Sequence, residues 1–143
     1  MNILTVDYKE VKKILTNCLG YDLMEYKYDI TPATFETIGL SKNINFSWIN
    51  YNPNLMDDEL FRFIKFSNKE SNIVVITDEM IKLGFFDIVK FGDLKEYIFE
   101  EYPIKYEATF FQEQDIILFS CSDFTVNIFS HESYFVNVNL AAR

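Results

Sequence analysis

The last third of the chain constrains the fold most. Four apolar stretches, Tyr106 to Phe111, Ile116 to Ser120, Phe124 to Phe129 and Tyr134 to Leu140, follow one another with only short polar segments between them. Connections that short join antiparallel neighbours, because a parallel pair needs a crossover of a dozen or more residues. In the last stretch Tyr134, Val136, Val138 and Leu140 alternate with Phe135, Asn137 and Asn139, the period of a strand with two unlike faces. The chain is therefore expected to end in a β-meander.

Upstream the apolar period changes to that of helices. Asp7 is placed to cap a helix running to Leu19, with Glu10 completing a capping box and Tyr8, Val11, Ile14, Leu15, Cys18 and Leu19 on one face. Gly20 ends it, and Lys9, Lys12 and Lys13 are expected in water. Leu23 to Ile30 then reads as a strand, Pro32 to Thr37 as a short helical turn, and Ile44 to Trp48 as a strand with Ile44, Phe46 and Trp48 inward. A second helix is predicted from Asp57 to Phe66, opened by Asp57, Asp58 and Glu59, whose charge suits the positive end of the helix dipole. Ile73 to Thr77 is apolar enough to be buried on both faces and is placed at the centre of the sheet. Asp78 to Leu83 suggests a short helix, whereas Phe85 to Val89 is apolar without a deciding period. A third helix spans Asp93 to Tyr102, with Leu94, Tyr97 and Ile98 inward and Pro103 just past its end. This order predicts one α+β domain over residues 1–143, an antiparallel or mixed sheet with about three main helices packed on one face.

Charge narrows the partners. With 22 Asp and Glu against 13 Lys and Arg, the net charge of -9 argues against nucleic acid or an anionic membrane and favours a cationic protein. The apolar runs are too short for a membrane span, and the Met1-Asn2-Ile3-Leu4 start lacks the pattern of a secretory signal, so a cytoplasmic monomer is expected. Cys18 and Cys121 fit free thiols, with a bridge between them left open by geometry.

Chemistry is sparse. A single histidine, His131, rules out sites built on two imidazoles, and a catalytic His131 requires its nucleophile and orienting group from elsewhere in the fold. Four glycines leave little for a phosphate-cradling loop, and Glu25, Tyr26 and Lys27 with Asp7 make only a chance-level match to a metal nuclease; no metal or cofactor is expected. The acids matter more as surface. Asp93, Glu96 and Glu100 form one helical stripe, which Glu101 extends. Asp93 and Glu96 have the spacing of a capping box, but the helix dipole disfavours Glu100 and Glu101 near the C-terminal end, which makes those two binding candidates. Asp57, Asp58 and Glu59 serve the start of the second helix, Asp58 lies in reach of Arg62, and Glu113 and Asp115 occupy a turn between strands. All nine acids are candidate partner-binding residues.

In size, acidity, α+β ordering and a composition weighted to Phe, Tyr, Ile, Asn and Lys, the chain resembles the small bacterial immunity proteins of contact-dependent growth inhibition systems. The resemblance is one of overall character and transfers no individual residue. It implies a cytoplasmic protein that binds a cognate toxin domain, often a cationic nuclease, and blocks its active site or its access to substrate. Two other classes compete with it: a structural or adaptor subunit of a phage or mobile element, and a small-molecule enzyme using His131 and carboxylates.

Overall fold

The computed structural model describes residues 1–24 and 30–141. β1 (Leu4–Asp7) leads directly into α1 (Tyr8–Leu19), followed by α2 (Pro32–Ser41), β2 (Ile49–Asn50), α3 (Asp57–Phe61), β3 (Asn72–Thr77), α4 (Asp78–Leu83) and β4 (Phe85–Lys90). A 3-10 turn (Phe91–Asp93) then opens a helix built of α5 (Leu94–Glu96), a π segment (Tyr97–Glu101) and α6 (Tyr102–Tyr106). β5 (Ile116–Ser120), β6 (Thr125–Phe129) and β7 (Tyr134–Asn139) complete the chain. The described strands form one α+β sheet of seven, every pair antiparallel, in the order β1-β4-β3-β5-β6-β7-β2.

Helical segments cover both faces of this sheet rather than the single face expected. On one face Tyr8 of α1 meets Phe86 with ring centroids 5.7 Å apart, and Phe35 of α2 meets Phe119 at 6.1 Å. On the other, ladder register aligns Thr5, Asp87, Val75, Leu118, Asn127 and Asn137 in one row across six strands. The middle of that row is apolar and its ends are polar, so whatever covers the ends must bring hydrogen-bond partners. At one end Asn127, itself buried, accepts from Lys65 N and donates to Lys65 O, and Asn137 donates to the same carbonyl. Two amide side chains thus hold the segment after α3 against the sheet.

At the other end lies Asp87, whose side chain is wholly buried. Its Oδ1 accepts from Thr5 Oγ1 at 2.7 Å and Lys105 Nζ at 2.6 Å; its Oδ2 accepts from Tyr97 OH at 2.6 Å and Tyr106 OH at 2.8 Å. Burial alone pushes the carboxyl upward, but the four donors, Lys105 foremost, outweigh it and hold it below the usual carboxylate range. Tyr97 and Tyr106 are both pushed above the ordinary phenol value, first by burial and then by the carboxylate beside them.

Several sequence expectations need correction. Pro103 does not end its helix, because the turn before it widens to a π segment in which Tyr102 N donates to Tyr97 O. A widened turn eases the clash of the proline ring with the carbonyl four residues back, so the helix passes through to Tyr106. Tyr106 to Phe111 is consequently no strand; it is the helix end and a turn, from which Phe110 packs on Tyr102 at 5.0 Å. Asp93 makes no capping hydrogen bond. Residues 44–48 keep the expected alternation of burial but pair with no strand; Phe46 instead lies so close to α2 that a Cβ on Gly39 would sit 2.6 Å from its ring. The second helix stops at Phe61, α2 is longer than a turn, and Lys12 is mostly buried, its Nζ 4.7 Å over the Tyr8 ring. Phe85 to Val89 resolves as β4, and β5, not β3, takes the central position. The strand read at Leu23 to Ile30, with Glu25 and Lys27, falls largely outside the described residues.

Asp87→Ala removes one acceptor from four donors, among them the fully buried Tyr97 hydroxyl. Urea denaturation is expected to show a loss of about 3 kcal/mol. Because the folded carboxyl is held low, its contribution is present above the ordinary value of 3.8 and is lost as pH falls through the depressed folded value. An acid titration of wild-type stability should therefore be steeper below pH 3.8 than that of the variant.

Candidate functional site

The antiparallel register gathers three chain segments at one end of the sheet. Thr77 pairs with Ile116 and Ile116 with Phe129, so Asp78, Asp115 and the Ser130–Ser133 turn all leave the sheet at the same place. Asp78 Oδ2 accepts from Asp115 N at 2.9 Å, and Asp115 Oδ1 accepts from His131 N at 2.8 Å. The same oxygen lies 2.9 Å from His131 Nδ1. Each group is thus fixed by the next, starting from Thr77, whose hydroxyl caps α4 by accepting from Met80 N.

Electrostatics follow from this chain of contacts. The hydrogen bond to Asp115, and then that residue's charge, hold His131 above its ordinary value of 6.5. Asp78 is raised, first by burial and then by the nearby Asp115, against the lowering effects of its hydrogen bond and of His131. Glu132 Oε1 stands 3.7 Å from His131 Nε2, so the imidazole lies between two carboxylates. Its side chain is 57% exposed, which leaves it open to solvent and to a partner.

Two concavities flank His131. A cavity of about 240 Å³ is lined by Tyr51, Pro53, Leu55, Asp57, Leu60, Phe111, Glu113 and His131, among others. A groove of about 460 Å³ on the other side is lined by Pro32, Glu36, Trp48, Asp115, His131, Glu132 and Tyr134 with smaller residues. Trp48 Nε1 donates to Glu36 Oε2 at 3.3 Å, which fixes the indole against the start of α2. Among the described residues, no lysine or arginine lines either concavity. Nor, among those residues, is any group of three or more His, Cys, Asp or Glu side chains arranged to hold a metal ion.

The nine acids singled out from the sequence divide accordingly. Asp57 and Glu113 line the cavity and Asp115 lines the groove, so these three meet around His131. Asp58 pairs with Arg62 at 3.9 Å, both exposed, and Glu59 accepts from Met56 N at the start of α3. Asp93, Glu96, Glu100 and Glu101 line neither concavity; the last three are exposed on their helix. Sequence reasoning did not select Glu36, Asp78 or Glu132, nor Trp48 and Tyr134 as site aromatics. For Tyr134 a signal existed: a ring beside a Ser-His-Glu-Ser turn at the open end of a strand.

Comparison with protein-family models, curated proteins and solved structures returned no match to this chain. Among the described residues, no helix is long and apolar enough to cross a membrane.

Asp115→Asn removes the charge that holds His131 up while keeping the side chain's shape. The His131 titration midpoint, followed by NMR, is expected to fall toward 6.5; an unchanged midpoint would show that Asp115 does not set it.

Proposed function

We propose that this protein neutralises a cognate cationic toxin domain by direct complex formation, as a cytoplasmic monomer of the immunity type it resembles. One observation carries the reading: carboxylates from four separate segments, Glu36, Asp57, Glu113 with Asp115, and Glu132, border two adjoining concavities that also hold Trp48 and Tyr134. A lysine or arginine of the partner enters the groove, where aromatic faces attract the cation and carboxylates neutralise it. The net charge of -9 steers the encounter from a distance. Exposed Glu96, Glu100 and Glu101 extend the negative field. The toxin is inhibited because its cationic substrate-binding surface is occupied.

A small-molecule enzyme is the second reading, favoured by the contact between Asp115 and His131 beside the cavity. An aspartate on Nδ1 is how a general-base histidine is oriented. Here, however, Nε2 faces the Glu132 carboxylate. This reading requires turnover without any protein partner.

The test pairs the protein with the product of the gene immediately upstream, which this reading expects to carry the toxin domain. Binding by calorimetry, and rescue of cells expressing that domain, are expected together. The double reversal Glu36→Lys with Glu132→Lys should weaken binding by about tenfold or more, mainly through a slower association at low salt. Wild-type-like binding by that variant would remove the site from the interface, and absence of binding by the wild type would remove the toxin.

Binding should also depend on pH. Below its raised midpoint His131 is positive and cancels one carboxylate among Asp78, Asp115 and Glu132; above it the site gains a negative charge. Affinity for a cation is therefore expected to rise from pH 6 to pH 8, and His131→Gln should abolish most of that rise. Fold stability moves the other way. The charged pair with Asp115 stabilises fully below the unfolded histidine value, and its contribution is lost as pH climbs through the raised folded value.

A further inference from the structure

Among the described residues β2 is the last strand of the sheet, so one side of it carries main-chain groups that no further strand takes up. Register identifies them. Ile49 pairs with Phe135, and two residues on Tyr51 N donates to Ser133 O at 2.9 Å, so Ile49 and Tyr51 bond inward to β7. Tyr134 O is used on the far side of β7, where it accepts from Ser130 N at 2.8 Å. Asn50 opposite Tyr134 is therefore the non-hydrogen-bonded pair, and the Asn50 N–H and C=O point away from the sheet. Beyond it the edge stops, because Pro53 follows and Leu55 N donates to Asn52 O in a turn.

Alternation gives this short edge two unlike flanks. Tyr134 shares a face with Asn50 and lines the groove with Trp48, Glu36 and Glu132, so one flank is aromatic and acidic. On the other flank stands Ile49, apolar yet 60% exposed, beside the buried Phe135. We propose that the toxin partner docks by adding an extended antiparallel segment to the free edge of β2, with basic side chains alternating with apolar ones. The inference rests on the toxin-binding reading and specifies how its partner is held. Asn50 exchanges both main-chain bonds with one residue of the segment. That residue shares the Asn50 face and sends its side chain to the groove, where rings and carboxylates receive a cation. Its two neighbours point to the other flank and cover Ile49. One hydrogen-bonded pair sets the register, and the groove supplies the selectivity for charge.

The probe is a blocked five-residue peptide with arginine at the first, third and fifth positions and valine between them, added to the folded full chain. Trp48 is the single tryptophan, so its fluorescence reports the groove directly. A saturable change is expected. N-methylation of the three arginine amides, which face β2, should weaken binding by about tenfold, whereas N-methylation of the two valine amides, which face away, should not. Asn50→Pro removes the outward N–H while leaving the inward bonds of Ile49 and Tyr51, and should weaken binding by a similar factor. Asn50→Ala, which loses the same side-chain contact to Ser133 O, should bind as wild type. No response to the unmodified peptide, equal binding of the two methylated forms, wild-type binding by Asn50→Pro, or self-association of the chain through β2 would each overturn the proposal. The toxin reading is judged separately, by calorimetry with the product of the upstream gene: binding there that Asn50→Pro leaves unchanged would keep the toxin and discard the added strand.

Discussion

The structure depends on a polar obligation at each end of one sheet row. Asp87 and Asn127 sit in register on the same face, and a buried carboxylate or amide must be fully hydrogen-bonded to be tolerated there. Asp87 takes donors from β1 and from the helix after β4, while Asn127 takes the backbone of Lys65. Apolar contacts between them are non-directional and would accept small slides of the covering segments. The polar ends do not, so they fix where the helix and the segment after α3 lie relative to the strands.

The legible parts of the fold were those decided locally. Asp7 caps α1 by accepting from Glu10 N, and Gly20 closes it in the left-handed region, as the residue types require. The final three strands are set by alternation and short turns. β1 was illegible because only its pairing with β4 makes four largely exposed residues a strand. β4 was undecided because Asp87 reads as a solvent residue, yet it is buried by partners up to 82 positions away. The alternation at 44–48 reported an extended chain with one buried side, which does not by itself imply a ladder.

Part of the candidate site was legible in the same restricted sense. Acidity and the isolation of His131 were plain, and Asp57, Glu113 and Asp115 were marked individually. Their convergence with Glu36 and Glu132 was not, since it depends on strand register and on α2 reaching the open end of the sheet. Helix-borne acids drew attention because their spacing is visible within one segment; acids at the ends of strands meet only through tertiary pairing.

The π segment has a consequence for how this chain tolerates change. At roughly 100° per residue, nine α-helical steps would place Tyr97 and Tyr106 on opposite sides of a helix. Both nevertheless reach the same Asp87 oxygen, and the widened turn takes up part of the rotation between them. The helix therefore works as a phase shifter: the count of residues from 97 to 106 carries information that their identities do not. Substitutions on its outer side leave that phase alone, whereas gain or loss of a single residue turns one tyrosine away from Asp87. Drift in this part of the sequence should accordingly run through composition at constant length.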